Sequence, residues 1–187
     1  TENVALTPGS DAADLNFSWY SAGKGTPAVK VWKDGSKSSA KVVTGNAESI
    51  SAENWQGKSY SAANKVNIAD YFEENTQYHY QYTDNYTGDD SVWSAEYDYT
   101  TKATDKFSVI LTGDPQVGAS GSSSDKSAND ASVARDAYNW NKTMQQALKT
   151  CPDASFLLSA GDQINQSGAA KDDDKKTRES EYAGYLY

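Results

Sequence analysis

Short runs in which apolar and polar residues alternate dominate the first part of the chain. Leu15-Asn16-Phe17-Ser18-Trp19 alternates, and so does Ala28-Val29-Lys30-Val31-Trp32 before the turn signal Asp34-Gly35. The same period of two recurs at 65–68, 78–82 and 92–99, and it puts Tyr78, Tyr80 and Tyr82 on one face of their strand. Turn-forming residues separate the runs at Gly23-Lys24-Gly25, Asn46, Glu74-Asn75 and Thr87-Gly88-Asp89-Asp90. About seven short strands at this spacing predict an antiparallel two-sheet sandwich over residues 1–102.

The pattern then changes. Phe107-Ser108-Val109-Ile110-Leu111 is a near-continuous apolar run, the signature of a strand buried on both faces. The Gly/Ser-rich stretch 118–130 reads as a long mobile loop. Val133, Ala137, Trp140, Met144, Ala147 and Leu148 recur at three- and four-residue steps, predicting an amphipathic helix over 131–149 with Asp130 as N-cap and Pro152 just beyond its end. A second apolar strand follows at Ser155-Phe156-Leu157-Leu158-Ser159-Ala160. Strand, helix and strand make one βαβ unit with parallel strands and a right-handed crossover. A charge run at 172–176 leads into 179–187, which opens like another helix. Two parallel strands and one complete helix cannot cover both faces of a sheet, so 103–187 is expected to be the first part of an α/β domain.

Composition narrows the partners. The 187-residue chain has 17 Lys+Arg against 26 Asp+Glu, a net charge of −9, which disfavours nucleic acid and anionic membrane surfaces. No run approaches the roughly 20 apolar residues of a membrane span. The start, Thr1-Glu2-Asn3, has neither the basic nor the apolar part of a signal peptide, as expected of a mature or trimmed chain. The 13 Tyr and 5 Trp suit pleated, half-buried surfaces. Cys151 is the single cysteine and cannot form an internal disulfide; it reads as a small buried or half-buried residue. His79 is the single histidine, placed mid-strand in the sandwich, and a structural role is expected for it.

Chemistry is suggested by a dipeptide that occurs twice. Gly113-Asp114 and Gly161-Asp162 end the two apolar strands, at the edge where open α/β sheets bind ligands. Neighbouring strands lie about 4.8 Å apart, so the two carboxylates could share one cation or a pair. A glycine before each Asp would let the backbone turn sharply there.

These stretches, Phe107 to Gln116 and Leu157 to Asn165, resemble the first two motifs of the calcineurin-like metallophosphoesterases. Leu6-Thr7-Pro8-Gly9, Asn16-Phe17-Ser18-Trp19-Tyr20-Ser21, Tyr78-His79-Tyr80-Gln81-Tyr82 and Trp93-Ser94-Ala95-Glu96-Tyr97 are similar to the fibronectin type III-like domain that precedes the catalytic domain in purple acid phosphatases. The fold implied is a fibronectin- or immunoglobulin-like sandwich (1–102) followed by the first βαβ part of a metallophosphoesterase domain (103–187). The resemblance implies a secreted or cell-surface enzyme in which two metal ions (Fe, Zn or Mn) clamp a phosphate ester while a metal-bound hydroxide attacks phosphorus. Carried over by position, Asp114 would bind one metal and Asp162 would bridge both.

Two residues depart from the family pattern. Gln116 stands where histidine is usual, and Asn165 where the purple enzymes place a tyrosine, so no purple colour is expected. Both are candidate ligands, weaker for zinc or iron than the residues they replace. The later motifs, Asn-His-[Asp/Glu], a lone His and Gly-His-x-His, have no counterpart, which leaves the catalytic residues unknown. The expected partner is therefore the remaining C-terminal part of the same enzyme, and this chain by itself is expected to be inactive. The competing reading is a non-catalytic adhesion module, or a carbohydrate- or protein-binding one, built on the sandwich and its tyrosines.

Overall fold

The computed structural model describes residues 4–88, 91–121, 126–165 and 178–187, with backbone alone for 126–128. The charge run at 172–176 and the Asp89-Asp90 end of one turn cluster lie outside the described residues. The chain divides into two compact units, Thr1–Ile50 with Tyr60–Phe107, and Ser51–Ser59 with Ser108–Tyr187.

Eight strands build a β-sandwich: β1 (Ala5–Pro8), β2 (Leu15–Ser21), β3 (Ala28–Lys33), β4 (Lys41–Thr44), β5 (Asn46–Glu53), β6 (Ser59–Ile68), β7 (Gln77–Thr83) and β8 (Tyr97–Thr100). They form two four-stranded sheets, ordered β1-β2-β6-β5 and β4-β3-β7-β8. Alternation drives the packing. In β2 every second residue is buried, so Leu15, Phe17 and Trp19 point inward, joined by Val66 and Ile68 of β6. From the other sheet come Val29 and Val31 of β3 with Tyr78, Tyr80 and Tyr82 of β7. Phe17 meets Tyr80 edge-on at 5.3 Å and Trp19 meets Tyr82 at 5.1 Å. Burying each such side chain contributes about 1.5–3 kcal/mol, and the aromatic geometry adds to it. The polar tips are satisfied: the Trp19 indole N–H donates to Asp84 at 2.7 Å, and the Tyr78 hydroxyl accepts the Glu73 N–H at 2.8 Å. With Tyr78 0% exposed and Tyr80 and Tyr82 both 7%, these tyrosines are core and offer no external platform for a carbohydrate.

The structure corrects several expectations. Asn46 opens β5; the turn falls on Gly45, where an added Cβ would lie 1.9 Å from the Lys65 carbonyl. The strand expected over 92–99 is reduced to β8. Upstream of it, Ser94 pairs with β7 through its side chain as well as its backbone: its Oγ accepts the Tyr82 N–H at 3.0 Å, while its own N–H donates to the Tyr82 carbonyl at 2.9 Å. A hydroxyl in that position competes with the regular ladder.

In the second unit, β9 (Val109–Thr112) and β10 (Phe156–Ser159) pair in parallel, joined through α1 (Lys126–Thr150); α2 (Arg178–Tyr185) follows. The helix begins before residue 131. Asp130 is therefore interior to it and is not its cap, and the loop expected over 118–130 is shorter. Asn129, which fell in the stretch read as loop, is buried on the helix, so packing overrides its propensity. Val133 and Ala137 are buried, and Gly184 of α2 permits the close approach: an added Cβ would lie 2.9 Å from a Val133 methyl. Trp140 stacks on Tyr185 at 5.2 Å and donates to its carbonyl at 3.0 Å. Burial fades along the helix, and Leu148 is exposed. The strands are not buried on both faces as their sequence suggests: Leu111 is 68% exposed and Leu158 52%. Ile110 and Leu111 line an open cavity of about 680 Å³ against the C-terminal turns of α1, beside the half-buried Cys151.

His79 has the structural role expected of it. Its Nδ1 lies 2.7 Å from Asp98 and 3.5 Å from Glu96, its Nε2 lies 3.0 Å from Asp34, and its ring stacks on Trp32. Lys37 bridges to Glu96 at 2.7 Å and covers the Trp32 face. A neutral imidazole can donate from one nitrogen only, so carboxylates at both favour the imidazolium. The Asp34 hydrogen bond, aided by Asp98 and Glu96, raises the His79 pKa against the opposing effect of burial.

Two outcomes follow from this packing. A pKa raised on folding gives stability that is complete below the unfolded value and lost as pH rises through the folded one. The stability gap between the wild type and His79→Gln, measured by urea unfolding, is therefore larger at about pH 5.5 than at about pH 8.5, and a gap that is flat or grows with pH contradicts this. In hydrogen exchange, the amides of β9 and β10 exchange faster than those of β2, β6 and β7, because their side chains exclude less water; equal protection in a monomer is the contrary result.

Candidate functional site

The site is built by the register of two strands. Ser159 of β10 lies opposite Thr112 of β9, so the Gly-Asp pairs leave the sheet side by side. Pairing then continues beyond the strands. The Ala160 N–H donates to Thr112 at 2.7 Å, Asp114 to Gly161 at 3.4 Å, Gln116 to Asp162 at 2.9 Å and Val117 to Gln163 at 3.2 Å. The Asn165 N–H closes the series on the Val117 carbonyl at 3.2 Å, and Val117 and Ile164 form a parallel bridge.

The backbone there is strained. Asp114 (φ 52°), Gln116 (φ 41°) and Asp162 (φ 44°) all occupy the left-handed region. Among the described residues, Asp70 and Asn75 are the other non-glycine residues that do so, both in sandwich turns. Asp and Asn tolerate this region, but Gln has no local reason to enter it, at a cost of about 1–2 kcal/mol. Strain of this kind persists where the surroundings over-determine it, which is common at functional sites. Gly161, at φ 117°, needs its glycine. Gly113 does not: its φ is not positive and an added Cβ would make an ordinary 3.6 Å contact with Ala160, so the sharp turn expected at both glycines occurs at one.

The side chains of Gln116 and Asp162 meet, with the Gln116 amide nitrogen donating to Asp162 Oδ2 at 3.1 Å. That leaves the Gln116 carbonyl oxygen and the other Asp162 oxygen for a ligand. Asp114 sits beside them at the end of β9. Asn165 joins through its backbone. All four candidate residues, Asp114, Gln116, Asp162 and Asn165, are exposed. At the last residue of β9 the Thr112 hydroxyl is buried without a hydrogen-bond partner among the described residues. The donor set of the four candidates is carboxylate and amide oxygen, which suits a hard cation such as Mn²⁺ or Mg²⁺ better than iron or zinc. The loop-to-loop pairing and the left-handed Gln116 had no signal in the sequence.

One group of three acidic residues lies close enough to hold a cation among the described residues: Asp11, Asp14 and Asp70 in the sandwich. Its hydrogen bonds account for it. Asp14 accepts from the Ser10 hydroxyl at 2.6 Å and from the Asp70 N–H at 2.9 Å, tying the β1–β2 connection to the end of β6. The Ser10 bond foremost, with the backbone donors, holds the Asp14 carboxyl below its usual range. No helix among the described residues is long and apolar enough to cross a membrane.

No known protein-family model matches the chain, and no curated protein matches it. Among solved structures it is similar to the purple acid phosphatase PPD1 from yellow lupin (Lupinus luteus) seeds, with a TM-score of 0.56 and 16% sequence identity. The match covers 86% of this chain and 29% of that one, so the chain spans under a third of that protein's length. At this identity the likeness is one of fold.

Glycine adopts the left-handed region freely, so Gln116→Gly is expected to slow hydrogen exchange at Val117 and Asn165, whose N–H groups pair the two loops, several-fold, stabilising this edge by about 1 kcal/mol. Faster exchange in the variant would show that Gln116 is not strained.

Proposed function

We propose that this chain is the N-terminal part of a metal-dependent phosphoesterase, with residues 1–102 forming a fibronectin type III-like sandwich and 103–187 the opening of the catalytic domain. The observation that carries this reading is the hydrogen bond between the Gln116 and Asp162 side chains, on strained backbone paired beside that of Asp114, at the carboxyl ends of two parallel strands. The similarity to a purple acid phosphatase fold supports it.

The residues present fit a cation in part. Asp114 and Asp162 would supply anionic oxygen, Gln116 a carbonyl oxygen in the place of the family's histidine, and Asn165 an amide at the rim. Among the two-metal candidates Fe, Zn and Mn, the all-oxygen donor set favours Mn. When bound, such an ion supplies Lewis-acid polarisation of a phosphoryl oxygen. The chain's own part is to bring Asp114 and Asp162 out of neighbouring strand ends, with the Gln116–Asp162 hydrogen bond orienting both of its partners. A phosphate ester is the substrate proposed, and secretion belongs to the same reading. The imidazoles that complete such a site would come from further polypeptide, which is also the partner proposed for the exposed apolar faces of β9 and β10. The rival reading, a binding module on the sandwich, has no support from Tyr78, Tyr80 and Tyr82, which are core.

Calorimetric titration of the chain with Mn²⁺ tests this proposal. The wild type is expected to bind, Asp162→Asn and Asp114→Asn to bind at least about tenfold more weakly, and all three to hydrolyse p-nitrophenyl phosphate at background rate. Unchanged Mn²⁺ affinity in both variants, or robust turnover by this chain alone, overturns it.

A further inference from the structure

We propose that Asp136 of α1 is a positioning residue for the Gln116–Asp162 pair; the proposal deepens the metal-site reading above and rests on it for its metal consequence only. A single oxygen of Asp136, Oδ2, accepts the Gly118 N–H at 2.9 Å and the Ser120 N–H at 3.1 Å. Both donors belong to the loop that leaves Gln116, the nearer just two residues on. Bonds from backbone N–H to an ionised carboxylate are stronger than neutral ones, and two on one oxygen fix the loop's height above the helix.

The clamp is built from one stretch of α1. Arg135 donates to the Ser120 carbonyl at 3.0 Å and hydroxyl at 2.6 Å, and the Ser132 hydroxyl donates to the Gly121 carbonyl at 3.2 Å. Val133 and Ala137, on either side of Asp136, are buried, so the helix face carrying the carboxylate cannot swing away. Gly118 itself is left-handed at φ 101°, and the fully buried Glu181 of α2 packs where its Cβ would be, 2.4 Å from that position. The loop therefore alternates left-handed residues at 114, 116 and 118, held from one side by the exit of β10 and from the other by Asp136.

That arrangement explains how a glutamine stays left-handed. The β10 side holds Gln116 and Val117 through their backbone N–H groups, and the helix side holds Gly118 and Ser120. Without the carboxylate, the α1 contacts that remain, from Arg135 and Ser132, hold the loop only at Ser120 and Gly121. The Gly118 N–H is released, and Gln116 relaxes toward ordinary backbone angles, which carries its amide away from Asp162. Asp136 touches neither a cation nor a substrate in this account. Its effect passes through Gln116.

The test uses the full chain with Asp136→Ala and Asp136→Asn, read by NMR on backbone amides and on the Gln116 side-chain amide. In Asp136→Ala, exchange at Gly118 and Ser120 is expected to accelerate at least about tenfold, and the Gln116 side-chain signals to move to the position of a free amide. Asp136→Asn keeps an acceptor oxygen and is expected to restore most of both. Resonances of α1 and of the sandwich report that the fold is intact, and Asp136→Ser gives the same comparison if the alanine variant unfolds. Where Mn²⁺ binds, Asp136→Ala is expected to weaken it by about 10–100-fold, the usual effect of losing a residue that orients a ligand. An unaltered Gln116 signal in Asp136→Ala overturns the proposal, as does an Asp136→Asn variant as damaged as the alanine one. If the Gln116 signals move as expected but the wild type binds no Mn²⁺, the positioning role stands and the metal-site reading fails.

Discussion

Parallel pairing of β9 with β10 aligns everything at the candidate site. With Ser159 opposite Thr112, the two Gly-Asp exits run side by side and zip together through Asp114, Gln116, Val117 and Asn165. Side chains alternate along a strand, so a slip of one residue would turn Asp162 to the opposite face and separate it from Gln116. The left-handed backbone at three positions, the Gln116–Asp162 hydrogen bond and the anchoring of the following loop on α1 all require this one register.

The two units hold themselves together by different means. The sandwich closes on an aromatic core in which Phe17, Trp19, Tyr78 and Tyr80 interlock between the sheets, and its polar tips find partners. The second unit packs α1 on α2 through Val133, Ala137 and Gly184, yet leaves Leu111, Leu157 and Leu158 open to solvent. Its order at the strand ends therefore owes more to directional hydrogen bonds than to buried apolar surface. Such bonds can hold a local conformation that is unfavourable by itself, as at Gln116.

Much of this was legible in the sequence where a side-chain period exists. The alternation at Leu15–Ser21 and Gln77–Thr83 gave those strands, and the three- and four-residue steps gave the body of α1. Elements without a clean period were missed: β1 and β4 have four residues each, and β5 is mostly polar and exposed. The start of α1 was hidden because Asn129 is a poor helix former that packing retains. At the site, the repeated Gly-Asp pointed to Asp114 and Asp162. The partnership of Gln116 with Asp162 was not legible, because it rests on backbone pairing between two loops, which leaves no side-chain pattern. Asp136 was equally hidden, one more polar residue on an amphipathic helix.

Crystals of this chain soaked in Mn²⁺ and measured at the manganese absorption edge bear most directly on whether these strand ends hold a cation. An anomalous peak within about 2.3 Å of carboxylate oxygens of Asp114 or Asp162, with the Gln116 carbonyl turned toward it, is the expected result. A peak at Asp11, Asp14 and Asp70 instead, or none at the ends of β9 and β10, contradicts the account.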